Sequence, residues 1–531
     1  MPNPEAVPYP VRGMDRGGVI KTYAPDQIPD PAFQDVLNAI FKNGKASASP
    51  GWVPFSSPLD SRVMGSDEYF QRNGSEFLLA FSLTTVYLYN SGLGIFQSIQ
   101  DGNPFTGNAD QFFDTDTGFD TFFMTNGLNP PRQWNGTGAI IPVPGLGSVQ
   151  GGQTNVTGEL IRSFAGFLLL LNTVESGSPF PQRVRWSVFG QPGNWTNDAF
   201  GNGQAGSNDL SDDVGFILWA NPFNNYEAIY KERSIYLMQY VGPPTIFSFQ
   251  RVINGIGLLA QRAVADLGDE HAFLGNDNFY TFNGISIDPI GNAVTHFFFN
   301  DVDPSYRNRV QAFVVEEDDE VWWIYSSTSP TYPDGSAKTP GDPDRAVVWN
   351  YLESTWSIRD NPGTCWFYYR QLLQYTWQTI PALTWAATSG AWNDRRFAAN
   401  FPLNLGGMKD GSMVQYGGVF NKLGIAYTKK LQSKFFDFGK PGVKKRLVRI
   451  DVQCGTGYAG NLMCQIGHCQ NIGDVVIYET AQVIPTGNGQ NAWVQCDITD
   501  TYFTFIFSMA DLDGNFDIYG YTPYVILKTS Q

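Results

Sequence analysis

The feature that most constrains what this chain can fold into is a repeat. An aromatic strand, a tight turn and a returning strand recur from residue 77 to residue 358. The unit reads FLLAFSLTTVYLYNSGLGIF at 77–96, TFFMTNGLNPPRQWNGTGAI at 121–140 and FLLLLNTVESGSPFPQRVRWSVFGQPGNW at 167–195. It returns as YEAIYKERSIYLMQYVGPPTIFSF at 226–249, as HAFLGNDNFYTFNGISIDPI at 271–290, and as AFVVEEDDEVWWIYSS with its partner AVVWNYLESTWSI within 312–358. Taking Asn90, Trp134, Trp186, Met238, Phe282 and Trp349 as equivalent points gives spacings of 44, 52, 52, 44 and 67 residues, the last stretched by the loop STSPTYPDGSAKTPGDPDR. A period of about 45 residues with four strand-like pieces is what one blade of a β-propeller needs. MKDGSMVQYGGVF, from Met408 to Phe420, is a weaker seventh copy.

Composition supports strands over helices: 56 Gly, 33 Pro and 15% aromatic residues against 16% charged describe a turn-rich chain built on Phe, Tyr, Trp and Val. Residues 1–31 hold seven prolines and no apolar period, which suits an extended arm. One helix is expected, in DPAFQDVLNAIF: Asp30 caps, Pro31 suits the first turn, and Phe33, Val36, Leu37, Ile40 and Phe41 recur at helical spacing. Beyond about residue 420 the blade pattern gives way to six alternating strands, from KKRLVRIDVQC to FDIYGYTPYVILK, joined by short polar turns. The expected fold is therefore all-β: an N-terminal arm and short helix over 1–50, a β-propeller over 51–420, and a C-terminal antiparallel, sandwich-like β domain over 421–531. Within the repeat, RVRWSVFGQPGNWT reads as scaffold, its rings packing between blades; the competing reading is a sugar-stacking Trp195.

The chemistry-bearing residues are sparse. His271, His296 and His468 form no metal-ligand pair, and no nucleophile elbow, phosphate loop or kinase-like set is present. Cys454, Cys464, His468, Cys469 and Cys496 lack paired knuckle spacing, and an odd count of five cysteines is no disulfide framework. Asp511, Asp513, Asn515 and Asp517 alternate like a calcium loop but lack its distal glutamate, so a hairpin is preferred. No catalytic residue, cofactor or metal is expected, and the chain is read as non-enzymatic. No stretch reaches the roughly 18 apolar residues of a spanning helix, and the N-terminus lacks a signal-peptide core, so synthesis in a reducing cytoplasm is expected.

Charge is uneven. The chain carries −16 overall, yet Lys429, Lys430, Lys434, Lys440, Lys444, Lys445, Arg446 and Arg449 against Asp437 alone give 429–449 a charge of +7, leaving −23 elsewhere. General nucleic-acid affinity is excluded, because duplex binding needs cations that displace counterions. The basic segment is a candidate assembly contact for acidic neighbours. Glu316, Glu317, Asp318, Asp319 and Glu320 form an acidic hairpin tip, expected to be solvated with no raised pKa and able to repel passing DNA.

Several stretches resemble one family: GGVIKTYAPDQIPDPAFQDVLNAIFKNGKASASPGW, RVRWSVFGQPGNW, YKERSIYLMQY with GIGLLAQRAVADLGDEHAFLGNDNFYTFNG, and the ending KKRLVRIDVQC with YFTFIFSMADLDGNFDIYGYTPYVIL. Together they resemble the β-propeller tail proteins of short-tailed bacteriophages, known as nozzle, tail tubular or packaged-DNA stabilisation proteins. The resemblance implies a structural virion protein made in the host cytoplasm. It further implies a homo-oligomeric, hexameric ring below the portal and adaptor, contacting tail fibres or other tail proteins, with double-stranded DNA passing transiently through. On that reading the arm reaches a neighbouring subunit. The competing expectation is a glycan-binding or glycan-degrading propeller, for which 14 tryptophans and abundant carboxylates speak.

Overall fold

Alternating aromatic and β-branched residues pair into antiparallel meanders throughout the computed structural model, which describes residues 6–147, 152–196, 205–370, 402–455, 459–484 and 492–528. Among the described residues there are seven four-stranded antiparallel sheets, each pairing its strands in sequence as a propeller blade does. Six lie at 65–98, 114–142, 157–209, 217–254, 264–289 and 311–360. The seventh takes Cys365–Arg370, Pro402–Gly407 and Met413–Tyr416, and its fourth strand, Trp52–Ser56, comes from the other end of the chain. The fold is all-β, as the period requires. Asn90, Trp134, Trp186, Met238, Phe282 and Trp349 all fall on the third strand of their blades, and Met413–Tyr416 is the third strand of the seventh. Residues 371–401 lie outside the description.

The chain separates into two compact units that alternate along the sequence: residues 54–257 with 363–416, and residues 1–53 with 258–362 and 417–531. In the first, the opening strands of successive blades lie side by side: Cys365–Arg370 on Gly65–Phe70, then Asp114–Gly118, Thr157–Phe164 and Ile217–Phe223. A blade between two neighbours has both faces covered, so a strand such as Phe167–Glu175 is buried at nearly every position. Trp195 is buried among Phe123, Val143, Leu146, Leu168 and Leu170, a scaffold position with no face for a sugar.

In the other unit, two blades accompany two larger sheets. One sheet runs Ala492–Asp500, Lys445–Cys454, Asp517–Leu527, Lys45–Ala48 and Ala39–Lys42, with Val7–Pro8 and Val11–Arg12 also on Asp517–Leu527. The second runs Phe33–Leu37, Lys429–Ser433, Tyr502–Met509 and Met463–Cys469, edged by Ile477–Tyr478 and Gln482–Val483. Aromatic rings join them: Tyr521 meets Phe505 at 5.8 Å, Phe507 at 5.2 Å and Phe436 at 6.2 Å between centroids. Each sheet is thus completed by N-terminal strands, and the described arm lies on its own chain.

The helix expected at 30–41 is not there. Phe33 and Val36 are three apart yet both buried because the strand Phe33–Leu37 carries a bulge between Phe33 and Asp35; an extra residue on one strand turns a period of two into three. Asn38 then adopts φ 56°, and Ala39–Lys42 leaves as one arm of a hairpin with Lys45–Ala48. A bulge plus a corner mimics helical spacing. Among the described residues the α-helix that does form is the short Thr295–Asp301.

Asn38 holds this corner. Its side-chain amide donates to Asp360 Oδ2 at 2.8 Å and to the Thr428 carbonyl at 2.8 Å, and its Oδ1 accepts from the Asp360 backbone N–H at 3.0 Å. Asn38→Ala loses these bonds and forces a Cβ-bearing, non-polar residue into the left-handed region, an expected cost of about 2–4 kcal/mol in denaturant unfolding. Asn38→Gly, which keeps the backbone conformation, should cost less than Asn38→Ala.

Candidate functional site

The basic segment does not present eight free cations. Lys429 is buried, donating to the Phe420 carbonyl at 2.9 Å with its ammonium 3.9 Å from the Tyr427 ring. Burial, then the charge of nearby Lys422, pulls its pKa down to about 8. Lys445 is buried as well and bonds the carbonyls of Lys440 and Thr501 at 2.6 and 3.0 Å. Lys430 pairs with Asp35 at 3.0 Å and Lys434 with Asp30 at 2.8 Å; against the burial that would raise it, Lys21 and Lys430 hold Asp35 below its usual range. Arg449 is bonded to Asp451 and lies between the rings of Trp493 and Tyr524, 5.6 and 5.2 Å away. Arg446 forms an exposed two-pronged pair with Asp497 at 2.6 and 2.8 Å. The outward-facing cations are therefore Lys440, Lys444 and Arg446. Pairs of this exposed kind are worth little and exchange partners readily.

The acidic tip is divided in the same way. Glu316 and Glu317 are exposed, and Asp318 is half-buried. Asp319, in the left-handed region at φ 56°, pairs with Lys42. Glu320 opens the strand Glu320–Tyr325 and points inward, meeting Arg359 at 2.5 Å and the Trp322 indole N–H at 2.9 Å. The sequence expectation that no acid here is pushed up fails at Glu320: burial raises its pKa in spite of Arg359, because the strand carries its side chain into a blade covered on both faces.

The alternating acids at 511–517 diverge. Asp511 takes the Asn461 backbone N–H and side chain, Asp513 the Asn421 amide at 2.6 Å, Asn515 the Ala459 N–H at 2.5 Å, and Asp517 both Lys45 and Ser47 at 2.8 and 2.6 Å. They tie neighbouring segments together. Among the described residues no group of three or more His, Cys, Asp or Glu side chains gathers as metal ligands, and all five cysteines are free thiols.

Two arrangements escaped the sequence reading. In the first unit, Arg162 is buried with its guanidinium bonded to Asp114 at 2.5 Å and to the carbonyls of Ala220 and Ile161 at 2.8 and 2.6 Å. Glu227 lies 3.7 Å from Arg162 Nε, and Asp116 accepts from the Ser163 N–H. Glu159 stands beside Asp114, against Gly127, where a Cβ would meet its carboxylate. One guanidinium thus faces three carboxylates, Asp114, Asp116 and Glu227, from the two blades on either side of its own. Burial pushes Glu227 up to about 8 and Asp116 up to about 6, opposed in each case by Arg162; burial and then Asp114 raise Glu159. Asp114 and Arg162 are 48 positions apart, so only the blade period could have hinted that they meet.

The second arrangement is a groove of about 470 Å³ in the other unit. Glu479, Thr480 and Gln482 line one wall, and residues 495–498 of the strand Ala492–Asp500 line the opposite one. His468 braces it: Nδ1 is 2.7 Å from Asp500 and Nε2 is 3.3 Å from Glu479.

No family model matches the sequence, and no curated protein matches it significantly. Among solved structures, the chain is similar to YCF48 from Cyanidioschyzon merolae at TM-score 0.35 and 8% identity, covering 69% of this chain and 98% of that one. It is similar to the Pan2 WD40 domain of Neurospora crassa at TM-score 0.34 and 7% identity, covering 70% and 95%. A third is an exo-β-1,3-galactanase from Phanerochaete chrysosporium at TM-score 0.25 and 8% identity, covering 88% and 100%. Likeness at this level speaks to no substrate or partner.

Raised carboxyl pKa values set the sign of a pH effect. Glu227 and Asp116, with Glu68, which burial pushes up to about 7, hold protons in the folded state that the unfolded chain has already released. Their stabilisation is complete below the unfolded values and is lost as pH rises through about 6 to 8. The melting temperature should fall between pH 5 and pH 8, and Glu227→Gln should flatten that fall when melts are compared across the window. Equal slopes in the two proteins would show that Glu227 releases no proton there.

Proposed function

We propose that this chain is a structural subunit of the tail of a short-tailed bacteriophage, a nozzle, hub or stabilisation ring through which the genome is retained and released. The observation that carries the reading is where the chain spends its buried charge. Arg162, Arg185 and Arg359 are each bonded to a buried carboxylate, between two blades or within one: Asp114 at 2.5 Å, Glu175 at 2.6 Å and Glu320 at 2.5 Å. Charges committed in this way stiffen strands and are closed to a substrate. The family resemblance supplies the biological setting.

On this reading the chain acts through its surface. Lys440, Lys444 and Arg446 meet acidic neighbours in a homo-oligomeric ring, a contact steered by the opposite charge of the rest of the chain. Glu316 and Glu317 repel the phosphate backbone and keep passing DNA from adhering. No covalent chemistry is required of any residue.

The reading is tested by negative-stain microscopy of the purified protein and by locating the subunit in assembled particles. Closed rings are expected, with no depolymerisation of host polysaccharide. The triple variant Lys440→Glu, Lys444→Glu, Arg446→Glu should lose the rings while keeping its melting temperature, since all three side chains are exposed. A monomer that cleaves or tightly binds an oligosaccharide contradicts the proposal and favours the glycan reading.

A further inference from the structure

The strand Ala492–Asp500 ends its sheet. It pairs with Lys445–Cys454 on one side, and among the described residues nothing pairs with its outer edge. An open edge presents a row of backbone N–H and C=O groups, which proteins ordinarily blunt with Lys, Pro or a covering segment. This strand, AWVQCDITD, contains no Lys, Pro or Gly over nine residues. The groove described above runs along it, and its opposite wall belongs to the segment that edges the second sheet.

Three properties of the groove identify what would fill it. Its walls are polar, with two carboxylates, Glu479 and Asp497, and no basic side chain among the lining residues; Asp497 is bonded to exposed Arg446 with Lys528 also near, pairs that give way at little cost. No aromatic residue lines it, so a pyranose ring would find no stacking floor. The segment forming the opposite wall carries exposed apolar side chains, Val475, Ile477, Tyr478 and Val483, and Trp493 is half-exposed on the edge strand itself. Backbone hydrogen bonding from an edge, with side-chain pockets alternating along it, is the recognition mode of strand addition.

We propose that this groove binds an extended polypeptide strand of another chain, one that alternates basic and apolar side chains, by adding it to the edge of Ala492–Asp500. The basic side chains pair with Glu479 and Asp497, and the apolar ones lie against Ile498 in the groove and against exposed Ile477 and Val483 beside it. His468, held between Asp500 and Glu479, keeps the two walls at a fixed separation. This assignment is independent of the tail reading, since any partner that supplies such a strand satisfies it.

The test uses the full chain and a fluorescein-labelled nine-residue peptide alternating Lys and Val, followed by anisotropy and by hydrogen exchange. A second peptide of the same sequence, N-methylated at alternate residues, keeps the charge and removes the backbone donors. The unmodified peptide is expected to bind and to protect amides 492–500, while the N-methylated one binds about tenfold or more weakly. Asp497→Asn, which leaves the His468 brace untouched, should weaken binding about two- to threefold, in line with one exposed charge pair, without changing the melting temperature. Equal binding of both peptides would mean bare charge attraction and overturn the proposal. Displacement of the peptide by a neutral oligosaccharide would overturn it, as would protection of 492–500 that rises with protein concentration alone, which would put a second copy on the edge.

Discussion

The structure depends on one constraint: a blade packed against neighbours on both faces has no solvated side. A strand in such a position cannot send its polar residues to water, and an unpaired buried charge is too costly to keep. The strand Ser178–Trp186 shows the consequence. Val184 and Trp186 enter the apolar core, while Arg185, on the alternate face, is equally buried and bonds Glu175 at 2.8 and 2.6 Å. Arg162 with Asp114 and Arg359 with Glu320 repeat the solution. Such pairs add little net stability compared with apolar residues of the same size, yet breaking one leaves a bare charge behind. They act as registration points that penalise any other packing.

The same constraint explains the long-range stitching. A sheet with an open end must find a strand somewhere, and here it comes from distant sequence. Trp52–Ser56 completes the blade of residues 365–416, and Phe33–Leu37 and Lys45–Ala48 enter the two C-terminal sheets. The N-terminal fifty residues are therefore structural members of the unit that also holds the end of the chain.

Period and turn chemistry made the architecture legible before any coordinates. The six equivalent positions chosen from aromatic spacing share the third strand because a blade repeats its pattern at the scale of the repeat, and Trp195 was readable as scaffold from the company of its turn. Local periodicity misled at 30–41, where the bulge before Asp35 and the left-handed Asn38 reproduce helical spacing in two strands. Charge runs were legible only as runs: strand alternation sends Lys429, Lys445 and Glu320 inward while Lys440, Lys444, Glu316 and Glu317 stay outside. The cluster around Arg162 was illegible, since its carboxylates arrive from the two blades flanking its own and nothing in one strand points to the others.

The account stands on the claim that charge inside the blades is there to satisfy burial on both faces, and the pair Arg359–Glu320 isolates it best. A double-mutant cycle in denaturant unfolding, using Arg359→Met and Glu320→Gln, measures it directly. Arg359→Met alone should cost about 3–5 kcal/mol by stranding Glu320, and adding Glu320→Gln should recover a large part of that loss. Strictly additive costs for the two substitutions would contradict the account.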